Sequence, residues 1–233
     1  MTTFRYLKEL STNPYRLGRH QVHDALVPER DAHRHLRHWF DDIRSVTHRE
    51  IAPVFDQGRT GSCTANAALG CLVTEPFATG VIYTEADAVA LYELETKLDD
   101  SQIPGEYPPD DTGSTGPWSM QALEQQGKIK SFVHTRSSHL ALRLLNHGPL
   151  SLGVPWLTSM FTVDDTNTIV VNPTSGLAGG HQVCVVGNDV DGQRVLIRNS
   201  WGAGWGEDGH AWLTWSALDY LLHEGGDVVQ PVV

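Results

Sequence analysis

The spacing of apolar and polar positions changes character near residue 150. Upstream it is helical. Between Ser62 and Pro76, Ala65, Ala68, Leu69 and Leu72 recur at i, i+3, i+4 and i+7, while Ala67, Cys71 and Val73 fill most other faces. This predicts a helix buried nearly all round, with Ser62 as its N-cap and Pro76 marking its stop. Glu85 to Leu98, Trp118 to Gln126 before Gly127, and His139 to Asn146 before Gly148-Pro149 read as further helices. Nearer the N-terminus, Asn13 to Gly18 reads as extended or turning. Pro28 to Ile43 reads as a helix, with Pro28 at its first position and Leu36, Trp39, Phe40 and Ile43 on one face.

From Leu150 onward the runs are short and of strand type: Ser151–Val154, Thr168–Val171, the stretch around Val183–Val186, Val195–Ile197 and His210–Leu213. Asn188 to Gln193, with Asp191-Gly192 inside it, has the composition of a turn. A hairpin centred near Val190 would set opposite one another residues whose numbers add to 380, which makes His181 and Asn199 cross-strand neighbours. The long Pro-, Gly- and Asp-rich stretch from Asp99 to Thr115 is expected to line a cleft. The pattern as a whole predicts an α+β fold, mainly helical over 47–149 and mainly β over 150–233, preceded by an N-terminal extension over 1–46.

Composition narrows the class. A chain of 233 residues with 40% hydrophobic and 19% charged residues is globular and large enough for a good core. Its three cysteines, Cys63, Cys71 and Cys184, give no disulfide framework, and the last two read as small core residues. No apolar run approaches the about 20 residues of a membrane helix, and the first ten residues have no hydrophobic signal core. A cytoplasmic location is therefore expected, unless a phage or a specialised secretion system exports the protein.

Charge is uneven. Residues 1–50 hold 9 Lys and Arg against 7 Asp and Glu, whereas residues 51–233 hold 8 against 21. The acidic body argues against nucleic acid as a partner, and a mildly basic arm is expected to dock on it. His33, His35 and His38 lack a Cys partner and i, i+4 spacing, so they read as a solvated helix face rather than a metal site.

Candidate chemistry starts at Cys63, in the first turn of a buried helix. Unpaired backbone N–H groups and the helix dipole favour an anion there, which lowers a thiol pKa and makes a nucleophile. A buried structural cysteine is the alternative. A His and an Asn placed to orient it complete a Cys-His-Asn set. A zinc site from Cys63, Cys184 and His181 fails on spacing.

Three blocks carry a resemblance: Gln57-Gly58-x-x-Gly61-Ser62-Cys63, Gly180-His181 and Asn199-Ser200-Trp201-Gly202. In order and wide spacing they resemble the active-site blocks of the papain-like cysteine peptidases. Weaker similarity runs between them, through Asp111-Thr112-Gly113, Trp118-Ser119 and Gly148-Pro149-Leu150, so that Ile51 to Trp215 is covered. The resemblance implies a papain-like two-lobe fold, in which a helical lobe carrying the nucleophile packs against an antiparallel β-sheet lobe.

It also implies roles. Cys63 would be the nucleophile, His181 its imidazolium partner and later proton donor, Asn199 the group that holds the ring, and Gln57 an oxyanion-hole donor beside the Cys63 backbone N–H. Trp201 would shield the Asn–His bond. The implied activity is hydrolysis of peptide bonds through a thioester acyl-enzyme, on protein or peptide substrates, with no cofactor or metal. An acyl transferase or ligase using the same residues and a non-catalytic binding module are the alternatives. Two departures stand out: Thr64 replaces the Trp usual after the nucleophile, and Thr60 stands where secreted members carry a disulfide cysteine. Gly113-Ser114-Thr115-Gly116 occupies the place of the family's glycine-rich substrate-binding stretch. Residues 1–46 are either a propeptide over the cleft or a permanent arm.

Overall fold

The computed structural model describes residues 12–21, 42–99 and 105–233. The expected helix over 28–43, with His33, His35 and His38, lies outside the described residues except for Asp42 and Ile43, which are not helical.

Five helices occur among the described residues: α1 (Cys63–Leu72), α2 (Glu85–Leu98), α3 (Gly116–Gln125), α4 (Ser138–Leu144) and α5 (Trp215–His223). Hydroxyl side chains start most of them. Thr84 and Asp87 form a reciprocal capping box on α2, and Thr115, Ser137 and Thr214 cap α3, α4 and α5. The α1 helix differs. Ser62 holds the N-cap position but makes no side-chain cap; Asn66 instead donates from inside the helix to the Ser62 hydroxyl at 3.1 Å and its carbonyl at 3.0 Å. The helix also ends at Leu72, four residues short of Pro76, where Thr74 turns its hydroxyl back onto the Gly70 carbonyl.

Seven strands form one antiparallel sheet. They are β1 (Val46–Thr47), β2 (Ser131–Thr135), β3 (Leu150–Leu157), β4 (Leu177–Asp189), β5 (Arg194–Arg198), β6 (His210–Thr214) and β7 (Asp227–Val232), in the order β2-β7-β3-β4-β5-β6 with β1 on β4. The fold is α+β and papain-like. One core lies over the sheet, around Leu152, Val154, Trp156, Val183 and Ile197, and a second lies among α1, α2 and α3, around Leu69, Leu91, Met120 and Leu123. The α1 helix packs on β4 between them, and Cys71 meets Cys184 there with the sulfurs 3.7 Å apart.

Two expectations are corrected. Thr168–Val171 is not a strand. It makes only single bridges, Val163 to Ile169 and Thr168 to Trp212, because Asp164 collects the backbone N–H groups of Thr166 and Thr168 and curls the segment into a turn. The β4–β5 hairpin forms around residues 190–193, but its paired numbers add to 383 near the turn and 382 beyond a bulge between Val185 and Gly187. The later turn centre shifts the register to 383, and the extra residue of the bulge brings it back to 382. The shift beyond the bulge is two, so each side chain keeps its face. The strands β2 and β7 and the helix α5 were not anticipated.

Leu152 lies on β3, a strand buried along its whole length. Leu152→Ala should lower unfolding stability by about 2–5 kcal/mol, read as a lower urea midpoint at unchanged slope.

Candidate active site

The nucleophile candidate is placed by packing. All ten residues of α1 are buried, and Cys63 at its first position is fully inaccessible. The loop before it is held by Asp111, whose carboxylate accepts the Gly61 N–H at 3.0 Å and the Tyr92 hydroxyl at 2.7 Å. A Cβ at Gly61 would stand 2.5 Å from that carboxylate, so the approach requires glycine. Thr64, in place of the expected Trp, donates its hydroxyl to Glu95 on α2 at 2.6 Å. Burial pushes the Glu95 carboxyl up to about 8, which keeps it neutral near pH 7.

His181 lies on β4 and Asn199 just beyond β5, both buried. His181 Nε2 is 2.8 Å from Asn199 Oδ1. The same oxygen accepts the Ser200 backbone N–H at 2.8 Å. A backbone N–H can only donate, so that atom must be the amide oxygen, and Nε2 must carry the ring proton. Nδ1 is then the basic nitrogen, and it has no hydrogen-bond partner among the described residues. Trp201 stacks on the imidazole at 4.6 Å between centroids, and Trp156 meets it edge-on at 4.9 Å. Gln57 is buried too. Its Oε1 accepts the Ser200 hydroxyl at 2.6 Å and its Nε2 donates to the Thr60 carbonyl at 2.8 Å.

Residues 15–21 lie in this site. Tyr15 stacks on Trp201 at 4.3 Å, and the Arg16 carbonyl accepts from Gln57 Nε2 at 3.3 Å. The backbone N–H groups of Gly18 and Gln182 favour the Cys63 thiolate, against the larger effect of burial. Arg19 N–H donates to the Gly180 carbonyl at 2.9 Å, and Arg19 forms a parallel bridge with Ser114. In that bridge the Ser114 N–H donates to the Gly18 carbonyl at 2.8 Å, and the Ser114 carbonyl accepts from the His20 N–H at 2.7 Å. A Cβ on Gly18 would sit 2.0 Å from the Gly61 carbonyl oxygen. Two ion pairs fasten the segment to the acidic body, Arg16 to Asp111 at 3.3 Å and Arg19 to Asp227 at 2.6 Å.

This docking reverses an electrostatic expectation. Burial pushes the Cys63 thiol up to about 12 despite its helix position, and burial holds the His181 imidazole down at about 4 even though Asn199 favours the charged ring. Exclusion of water thus favours the neutral form of both groups. The structure buries Gln57, Cys63, His181 and Asn199, the residues that the sequence puts forward, and joins His181 to Asn199 directly; Tyr15, Asp111, His134 and Asp227 are not among the site residues that the sequence puts forward. For the first two the basic arm and the long loop were the available signals; His134 and Asp227 had none.

A sequence model of the papain family cysteine proteases matches residues 82–218, more than half of the chain. The chain belongs to the papain family. The matched stretch contains His181 and Asn199 and begins beyond Gln57 and Cys63. The chain is 32% identical over 81 residues to an uncharacterised peptidase C1-like protein of Acanthamoeba polyphaga mimivirus, covering 34% of this chain and 26% of that one. It is 26% identical over 189 residues to cathepsin J of Rattus norvegicus, covering 68% and 55%. The matches thus span about half or less of these relatives. Among solved structures, xylellain, a cysteine protease from Xylella fastidiosa, aligns with a TM-score of 0.61 at 20% identity over 82% of this chain and 87% of that one. Procathepsin L 3 of the Tenebrio molitor larval midgut aligns with a TM-score of 0.58 at 16% identity over 84% and 72%. At these identities the likeness is one of fold.

Docking has a pH dependence carried by the segment's own histidine. Burial, partly offset by the Thr112 carbonyl, holds His20 below its ordinary value of 6.5, so the docked form binds fewer protons. Docking is favoured above that value and weakens as pH falls below it. Protection of the Arg19 and His20 amides against hydrogen exchange, corrected for intrinsic rates, should therefore fall between about pH 7 and about pH 4.5.

Proposed function

We propose that the chain is a cysteine peptidase that hydrolyses peptide bonds, held in an occluded state by its N-terminal segment. The observation that carries this reading is the joint burial of Cys63, His181, Asn199 and Gln57 in a cleft already occupied by a length of polypeptide. Residues 1–46 are then a covering extension, residues 47–233 the catalytic domain, and the substrates proteins or peptides. The three thiols are unpaired, which fits a reducing compartment and a cytoplasmic location.

The chemistry follows from the hydrogen bonds. Once the segment leaves, water reaches the cleft, and the helix N-terminus and His181 favour a thiolate at Cys63. The sulfur attacks the scissile carbonyl carbon. The resulting oxyanion takes a Gln57 Nε2 proton and the Cys63 backbone N–H as donors. The second Gln57 N–H, the one not spent on Thr60, is the one that the Arg16 carbonyl holds in the docked state. His181 delivers its proton from Nδ1 to the leaving amine, which breaks the C–N bond and leaves a thioester. Water then attacks the thioester with Nδ1 as base, releasing the acid and the thiol. Asn199 keeps Nε2 protonated and the ring in plane throughout.

The test is the intact mass of full-length protein after exposure to a peptide-like epoxide that alkylates activated thiols. Gly18→Val, whose side chain cannot fit against Gly61, should release the segment and accelerate formation of a single adduct at least about tenfold over wild type. The adduct should vanish in Gly18→Val/Cys63→Ala and slow strongly in Gly18→Val/His181→Ala. Absence of an adduct from folded Gly18→Val protein would sink the enzyme reading. In that released background Gln57→Ala should lower kcat for a cleaved peptide by about 10²–10³.

A further inference from the structure

One peptide unit beside the cleft is held from both edges. The carbonyl of Thr60 accepts from Gln57 Nε2 at 2.8 Å. The N–H of the same unit, on Gly61, donates to Asp111 Oδ2 at 3.0 Å and to Oδ1 at 3.1 Å. A planar trans peptide carries its C=O and N–H on opposite edges, so the unit is a rigid spacer between the Asp111 carboxylate and the Gln57 amide. Asp111 is mounted on the helical core in turn. Tyr92 on α2, fully buried, donates its hydroxyl to Asp111 Oδ1 at 2.7 Å and accepts the Gly113 N–H at 2.7 Å. At the other end of the loop the Gln57 N–H donates to the Ser200 carbonyl at 2.9 Å. Arg16 of the docked segment touches both ends of this arrangement. Its carbonyl accepts from Gln57 Nε2 at 3.3 Å, and its guanidinium lies 3.3 Å from Asp111 Oδ2.

We infer that Asp111 is a positioning residue for the oxyanion hole, acting on the Gln57 amide through the peptide unit between Thr60 and Gly61. The inference rests on the peptidase reading and deepens it. Gln57 Nε2 carries two protons, and one must be held if the other is to meet the oxyanion at a fixed angle. The Thr60 carbonyl holds the first and so aims the second. That carbonyl cannot swing while the N–H of its own peptide is tied to a carboxylate, a stronger acceptor than a neutral group. Acceptance at the N–H also polarises the carbonyl and strengthens its hold on Gln57. The close approach is built into the chain, because a Cβ at Gly61 would stand 2.5 Å from Asp111 Oδ1. Apart from burial and two backbone N–H groups, the Cys63 thiol feels Glu95 and Arg19, so Asp111 acts on the loop and not on the sulfur. Its loss can then cost no more than loss of the Gln57 amide, about 10²–10³ in kcat. A donor misplaced by a fraction of an ångström, not removed, should cost about tenfold.

The experiment adds Asp111→Asn, Gln57→Ala, or both, to full-length Gly18→Val protein and reads two rates. One is hydrolysis of a peptide, which passes through an oxyanion. The other is alkylation of Cys63 by iodoacetamide, in which the thiolate displaces iodide and no oxyanion forms. Asp111→Asn should lower kcat about tenfold at nearly constant KM, while alkylation stays within about twofold. In the Gln57→Ala background the same substitution should change kcat by less than about twofold, because the group it positions is gone. Tyr92→Phe, which removes one support of the carboxylate, should act in the same direction with a smaller loss and serves if Asp111→Asn disturbs folding. A loss that multiplies with that of Gln57→Ala, alkylation that falls in step with kcat, or an unchanged kcat overturns the inference. Proton NMR of the Gln57 side-chain amide in the Gly18→Val protein, with and without Asp111→Asn, needs no turnover. Gln57 Nε2 proton shifts that move with Asp111, in protein that cuts no peptide, keep the positioning contact and defeat the peptidase reading. Cleavage with those shifts and kcat indifferent to Asp111 does the reverse.

Discussion

Helix α1 has no exposed face, and a helix so placed must satisfy its polar side chains inside the protein. Thr64 does so through Glu95, and Asn66 through Ser62 and Glu85. These bonds fix the helix in rotation, and with it the direction in which Cys63 leaves the first turn. Packing on β4 then sets the helix start beside the strand that carries His181. The two groups are far apart in the chain, and the contact of one buried helix with one buried strand brings them into a single cleft. Cys71 and Cys184, in contact further along the same two elements, mark how closely they approach.

The docked segment extends the same exclusion of water over Cys63 and His181. A thiol and an imidazole become an ion pair only where the charges are solvated or compensated. Residues 15–21 remove the solvent and offer backbone N–H groups that fall short of replacing it, so burial dominates at both Cys63 and His181. The segment meets the site with complementary groups: a carbonyl on the Gln57 amide, a ring on Trp201, and glycine where the wall at Gly61 leaves no room.

The Arg19–Asp227–His134 cluster belongs to the same logic with the opposite sign. Here burial is compensated, and the Arg19 charge helps hold the Asp227 carboxyl down at about 2 against the effect of its desolvation. A carboxylate held ionised in the interior is a standing requirement for a cation, which Arg19 supplies.

The sequence by itself determined the elements whose cause is local. Apolar periodicity, a stopping glycine and the glycine-punctuated loop made α2, α3 and the start of α1 legible, and the three short blocks singled out Gln57, Cys63, His181 and Asn199. It also paired His181 with Asn199, although through the wrong register, because the turn is centred later than its composition suggests and the bulge between Val185 and Gly187 is invisible to a count made from the turn; the even net shift kept both side chains on one face. Tertiary structure alone decided the rest. The strand β7 is three valines and a proline among six residues, which become a strand only between β2 and β3, so the position of Asp227 could not be read locally. The protonation states of Cys63 and His181 depend on what covers them, a property of distant chain and water rather than of neighbouring residues. The helix dipole is encoded where the helix begins; desolvation is encoded nowhere in particular, and in this protein it prevails.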